Sequence, residues 1–176
     1  MAFPRDLDDD LSKYFTDHLP HDLGNLARVV TELGSLAFAV IALGAAAWLL
    51  PPERERRLRI ATGLTALAVT EFAVRALKAV VTRPRPPVAR VFTPLVDSGF
   101  PSAHAARAVV VALLVFVWID PEEPVRWVVP ILAFVVAWSR VALGVNWPSD
   151  VFAGAAIGWT VASVGHRLAR KFVDGV

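Results

Sequence analysis

The chain has 176 residues, of which 56% are apolar and 19% charged, with a formal net charge of +2 and no cysteine. Its mean hydropathy of +0.54 and apolar share exceed those of soluble domains, where apolar residues make up roughly 45–50%, so an integral membrane protein is expected. Disulfides and thiolate metal sites are excluded, and the dispersed basic residues, without a stripe of stacking aromatics, argue against a nucleic-acid partner.

The length suits a single domain spanning residues 1–176, and no internal repeat is visible. From Met1 to Pro20 the chain carries Asp6, Asp8, Asp9, Asp10 and Asp17 without a basic-then-apolar order, so insertion is expected to be directed by the first membrane helix and not by a cleavable signal peptide. Leu7, Leu11, Tyr14 and Phe15 recur at helical spacing, which suits a helix lying in the membrane interface or a soluble cap within an N-terminal segment of residues 1–32.

A membrane-crossing helix needs about 20 mostly apolar residues. Five windows approach that length: Leu33 to Leu50, Ile60 to Val81, Ala105 to Ile119, Val128 to Leu143 and Val151 to Val164. The expected fold class is therefore all-α, an integral membrane bundle of about five helices within residues 33–173, preceded by the interfacial helix. Proline clusters at Pro51-Pro52, Pro84 to Pro87, Pro121 to Pro124 and Pro148 punctuate the connections. Val88 to Gly99 carries no readable motif.

In the second window Glu71, Arg75 and Lys78 share one helical face, and charges at such depth turn toward protein or water. A Glu71 to Arg75 pair holding Lys78 in position and a purely structural pair both fit. In the fifth window Gly154 and Gly158 form a G-x-x-x-G motif, read as packing, which leaves contacts within the bundle and a homo-oligomer both open. Trp48, Trp118, Trp127, Trp138, Trp147 and Trp159 mostly fall near helix ends and read as interfacial anchors; Trp147 alone is close enough to the expected pocket to touch a ligand.

Antiparallel neighbours place four helix ends on one membrane face. Lys78 to Pro86 closes the second helix, Ser102 to His104 opens the third, Ser139-Arg140 closes the fourth, and Asp150 opens the fifth. The opposite face receives Arg54, Arg56, Arg57 and Arg59 and the C-terminal Arg167, Arg170 and Lys171. The positive-inside rule makes that face cytoplasmic, so the pocket is expected on the extracytoplasmic side of the cell membrane, although Arg83, Arg85 and Arg90 on its own side reduce the asymmetry.

Three segments carry a family resemblance. Lys78, six residues, then Arg85-Pro86 resembles K-x6-R-P, the first signature of the type 2 phosphatidic acid phosphatase family. Pro101-Ser102-Ala103-His104 is similar to the second, P-S-G-H, with alanine adding a methyl group where the family shows glycine. Ser139-Arg140 through Asp150 resembles the third, S-R-x5-H-x3-D, with Asn146 in place of the histidine. The signatures stand in family order between Lys78 and Asp150.

The resemblance implies a metal-independent and cofactor-free lipid phosphatase whose substrate is a membrane lipid phosphate or polyprenyl diphosphate. Phosphoryl transfer needs donors around the phosphate, an attacking atom and an acid for the departing oxygen. Lys78, Arg85 and Arg140 are the expected cationic donors. Ser102, Ala103 and the amides at that helix start are the expected neutral ones. Taken singly, each cation is most simply an interfacial anchor and Ser102 a helix cap; the joint placement favours phosphate.

His104 resembles the general acid, although a lone histidine at a helix start is more often structural. Asp150 resembles the residue that orients the nucleophile, and Pro148-Ser149-Asp150 is equally a good helix start with Ser149 as cap. Asn146 stands where the family's histidine attacks phosphorus. An amide nitrogen has no comparable lone pair, so that route is closed while hydrogen bonding to phosphate survives. A chain altered from histidine and a natural non-catalytic lipid-phosphate-binding relative are the two explanations, and the intact residues around Asn146 favour the first. Phosphoryl transfer to an acceptor other than water is a further alternative. Vanadium-dependent haloperoxidases are a poor match, because the histidine expected to bind vanadate is the one replaced.

Overall fold

A computed structural model describes residues 5–18, 20–50, 52–87 and 98–174. Their regular structure is entirely helical: α1 (Arg5–His18), α2 (His21–Thr31), α3 (Leu36–Leu49), α4 (Arg56–Val80), α5 (Ala103–Trp118), α6 (Val128–Ala142) and α7 (Pro148–Asp174). Short 3-10 turns occupy Glu32–Gly34, Glu53–Glu55 and Pro124–Trp127. Arg90 and the rest of residues 88–97 lie outside the described residues.

The five apolar windows correspond to α3 through α7. By length and composition, Glu53–Val80 and Pro124–Ala142 are long and apolar enough to cross a membrane, and a third span results if Leu23–Gly34 and Leu36–Leu49, bent by 61°, count as one. The 16 residues of α5 extend about 24 Å at 1.5 Å per residue, less than the roughly 30 Å of hydrocarbon. That shortness suits a helix whose first turn is sunk beneath the surface of the bundle.

Side chains are distributed as lipid requires. Large apolar groups face outward, with Phe72, Phe134 and Phe152 at 77%, 72% and 74% exposure, while Ala39, Ala47, Ala66, Ala105, Ala106 and Ala162 fill the interior. Small interior residues let helix backbones approach closely where hydrophobic transfer between helices and lipid supplies no drive. At the centre stands α5, which packs on α3, α4, α6 and α7. The G-x-x-x-G motif acts inside the bundle: a Cβ on Gly154 would collide with the carbonyl of Ser102, and one on Gly158 with the carbonyl of Ala106. The two glycines thus draw α7 onto the N-terminal turns of α5.

The first apolar window does not form one helix from Leu33. The chain breaks at Glu32–Gly34, and α3 restarts with the Ser35 hydroxyl accepting from the Phe38 amide at 3.2 Å. A Cβ on Gly34 would crowd His104 and Val136, so the break brings bare backbone against α5. The preceding α2 packs on α6, and its Ala27 is buried with Leu143 and Val145. The later part of the N-terminal segment is therefore built into the bundle, and the cap-like part is α1, which rests on α6 and α7.

The opposite end is tied by Arg59. Its guanidinium donates to the Leu50 carbonyl at 3.1 Å, pairs with Glu55 at 3.3 Å and lies 5.7 Å from the Trp118 ring centroid. Trp118 is accordingly buried, whereas Trp48, Trp127 and Trp159 are exposed as interfacial anchors would be.

Candidate active site

Lys78, Arg85, Ala103, His104, Arg107, Arg140 and Asn146 line one cavity of about 250 Å³. Residues far apart in the chain meet there because the C-terminal ends of α4 and α6 and the N-terminal ends of α5 and α7 gather at one end of the bundle.

The turn after α6 sets the spacing between Arg140 and Asn146. Gly144 adopts φ 64°, a left-handed conformation that favours glycine. Its amide donates to the Val141 carbonyl at 2.9 Å, and the Val145 amide to the Arg140 carbonyl at 3.2 Å, which together make a Schellman termination. The chain doubles back so that the Asn146 amide also reaches the Arg140 carbonyl at 3.2 Å. Six residues after Arg140 the chain is thus folded over the helix end.

The Asn146 side chain is buried and held at both ends. Its Oδ1 accepts from Arg140 Nε and from Ser102 Oγ, each at 3.2 Å, and its Nδ2 donates to the Gly99 carbonyl at 2.7 Å. Arg140 also donates to Thr31 Oγ1 at 2.7 Å, so α2 helps fix its fork. Lys78 Nζ donates to the Ser98 carbonyl, and Arg85 Nη1 to the Val145 carbonyl at 2.5 Å.

Ser102 and Asp150 are not among the residues lining the cavity; they stand behind Asn146. Ser102 occupies the N-cap position of α5 without a side-chain capping bond, because its hydroxyl is directed to Asn146. Its amide, expected to face an anion, instead donates to the Asp150 carbonyl at 3.0 Å. Asp150 is fully buried; its Oδ2 accepts from the Trp147 amide at 2.9 Å and its Oδ1 from Arg83 Nη1 at 2.5 Å.

Three expectations change. Glu71 pairs chiefly with Arg107 on α5, in a bidentate contact of 2.5 and 3.0 Å, while the mostly exposed Arg75 stays 3.8 Å away. Intrahelical spacing pointed to Arg75 because it contains no information about a neighbouring helix. Ser149 does not cap α7; the helix starts at Pro148, which has no amide proton to lose there, and the Ser149 amide donates to Asp8 Oδ1 at 3.0 Å. Trp147 does not line the cavity, since its indole NH donates to the Pro84 carbonyl at 2.9 Å and its ring lies under Arg83.

Arg107 and Asp8 were not singled out from sequence. Arg107 had a usable signal, because it follows His104 by three residues and so shares its helix face. Asp8 had none, being one of several acids near the N-terminus. Burial pushes its carboxyl up, but hydrogen bonds from Ser149 and Arg83 outweigh this and hold it below the ordinary 3.8. No group of three or more metal-ligating side chains occurs among the described residues.

The match to a family model decides the affiliation: the PAP2 superfamily pattern covers residues 59–174. The chain belongs to the PAP2 superfamily. Decaprenylphosphoryl-5-phosphoribose phosphatase of Mycobacterium tuberculosis is 34% identical over 155 residues, covering 82% of this chain and 83% of that protein. Undecaprenyl-diphosphatase BcrC of Bacillus subtilis is 26% identical over 161 residues, covering 86% and 79%. The fold matches the crystal structure of a transmembrane PAP2 type phosphatidylglycerolphosphate phosphatase from Bacillus subtilis with a TM-score of 0.80 at 22% identity, over 95% of this chain and 86% of that one. It also matches Aquifex aeolicus LpxE with a TM-score of 0.77 at 22% identity, over 92% and 95%. This PAP2 chain is thus a membrane protein whose homologues are phosphatases of polyprenyl or lipid phosphates.

Proposed function

We propose that the site is that of a membrane lipid phosphatase acting on a polyprenyl phosphate or diphosphate, and that Asn146 leaves the chain able to hold substrate but largely unable to turn it over. The observation that carries this reading is the convergence of Lys78, Arg85, Arg107, Arg140 and His104 with Asn146 on one small cavity. Four cations there suit a group with charge on several oxygens. A separate apolar groove of about 890 Å³, lined by Phe15, Phe116, Phe134, Trp138, Phe152 and Trp159 among others, shares no lining residue with this cavity.

With histidine at 146, an imidazole nitrogen attacks phosphorus, the P–O bond to the leaving oxygen breaks, and His104 protonates that oxygen. Asp150 stabilises the positive imidazole. Water then cleaves the phosphohistidine and returns the histidine and inorganic phosphate. The cavity opens on the extracytoplasmic side in this reading, because Arg54, Arg56 and Arg57 lie at the other end of the bundle. The test is phosphate release from polyprenyl diphosphate, polyprenyl monophosphate and phosphatidate by the Asn146→His chain. Turnover of a polyprenyl substrate supports the proposal, and a folded Asn146→His chain inert on all three lipids removes it.

A second reading, a non-catalytic lipid-phosphate-binding protein, is favoured by the hydrogen bonds that hold both ends of the Asn146 amide. Asparagine at this codon in the source gene supports that reading, and histidine there removes its basis.

A further inference from the structure

The helix α1 reaches the back of the site through one buried carboxylate. Asp8 Oδ2 accepts from Arg83 Nη2 at 2.5 Å and from Ser149 Oγ at 2.5 Å, while its Oδ1 accepts from the Ser149 amide at 3.0 Å. Arg83 spans the gap, donating through Nη1 to Asp150 Oδ1 at 2.5 Å and to Ser149 Oγ at 2.6 Å. The side chains of Asp8, Arg83 and Asp150 are only 4%, 10% and 0% exposed, so water screens them little.

Two carboxylates and one guanidinium leave this cluster with a formal charge of −1. Without Asp8 it would be neutral: Arg83 would then cancel Asp150, the group whose negative charge favours a positive nucleophile at position 146. We propose that Asp8 is a positioning residue that offsets Arg83 and so keeps Asp150 an effective anion behind the site. The inference rests on the reading of the site as a phosphatase for its kinetic consequence, and on geometry alone for its electrostatic one.

Asp8→Asn is the informative substitution, because the amide oxygen still accepts from the Ser149 backbone and keeps the start of α7 capped. In the Asn146→His chain, Asp8→Asn is expected to lower kcat about tenfold, the effect of roughly one pKa unit on the imidazolium-like state, with KM little changed. Adding Arg83→Gln restores the cluster to −1, so kcat should recover toward the Asn146→His value in the Asp8→Asn/Arg83→Gln double variant. A purely structural tether predicts no such recovery, because Arg83→Gln removes a further contact.

A second measurement does not need turnover. Tungstate binding to the Asn146 chain, followed by calorimetry in detergent, should tighten about fivefold in Asp8→Asn, the scale of one unit charge felt through partly hydrated protein. It should return to the parental value in Asp8→Asn/Arg83→Gln. Unchanged tungstate affinity in Asp8→Asn overturns the inference, as does a kcat loss that Arg83→Gln leaves in place. If the Asn146→His chain proves inert, the phosphatase reading fails and the tungstate arm alone decides this one.

Discussion

Substituting Gly154 by alanine tests how the bundle holds its site. The added Cβ would collide with the Ser102 carbonyl and crowd that residue's amide, which is itself bonded to the Asp150 carbonyl. A flexible side chain could swing aside; a backbone carbonyl at the start of α5 cannot. Overpacking of this kind costs about 1–3 kcal/mol, against a gain of up to about 1 kcal/mol from replacing glycine in a helix. The expected net loss of roughly 1–2 kcal/mol corresponds to a fall in Tm of about 2–8 °C for a chain of this size. Gly44→Ala is the control, because nothing lies within 4 Å of a Cβ built there, and it should leave Tm unchanged or raised. Thermal unfolding in one detergent compares the two directly. Equal or higher Tm for Gly154→Ala would refute the claim that α7 is seated on α5 through bare backbone.

The remaining predictions concern the site and its orientation. Arg107→Met in the Asn146→His chain should raise KM about tenfold for a diphosphate and less for a monophosphate, and it should also cost about 1–3 kcal/mol of stability because Glu71 loses its bidentate partner and keeps only Arg75, 3.8 Å away. Adding Glu71→Gln should restore the Tm without restoring diphosphate KM; recovery of both would make Arg107 purely structural. Since the Asp8 carboxyl is held below 3.8 in the folded chain, its stabilisation is present above that value and is lost as pH falls through the lower folded value. Amide exchange across α1 should therefore accelerate relative to α4 as pH falls below 3.8, and less so in Asp8→Asn. The chain has no cysteine, so single Asp9→Cys and Glu122→Cys variants report topology. An impermeant maleimide should label the first in intact cells and the second after permeabilisation, and the reverse pattern would invert the orientation.

Much of this architecture was legible in the residues. Apolar windows located α3 through α7 because apolar composition is a local property, although among the described residues only two helices, or three spans with the bent pair, are long and apolar enough to cross a membrane. The three signatures located four helix ends, and antiparallel packing brought Lys78, Arg85, His104, Arg140 and Asn146 to one cavity. The pairings that sharpen the site were not legible. Glu71 bonds across to Arg107 and Asp8 reaches Ser149, 141 residues away; such contacts depend on how helices pack, which no periodicity records. The break at Glu32–Gly34 escaped for a related reason, since an apolar run reads as continuous helix unless the crowding of Gly34 by His104 and Val136 is known.

In the proposed reaction phosphorus is attacked at position 146. Rapid acid-free quenching of the chain with polyprenyl diphosphate labelled on the terminal phosphate, followed by peptide mapping under alkaline conditions, tests it most directly. The Asn146→His chain should carry label on residue 146 and release it as inorganic phosphate, while the Asn146 chain binds the lipid without becoming labelled. Phosphate release by the Asn146 chain at the rate of its histidine counterpart, or label on any other residue, would mean that phosphorus is attacked elsewhere.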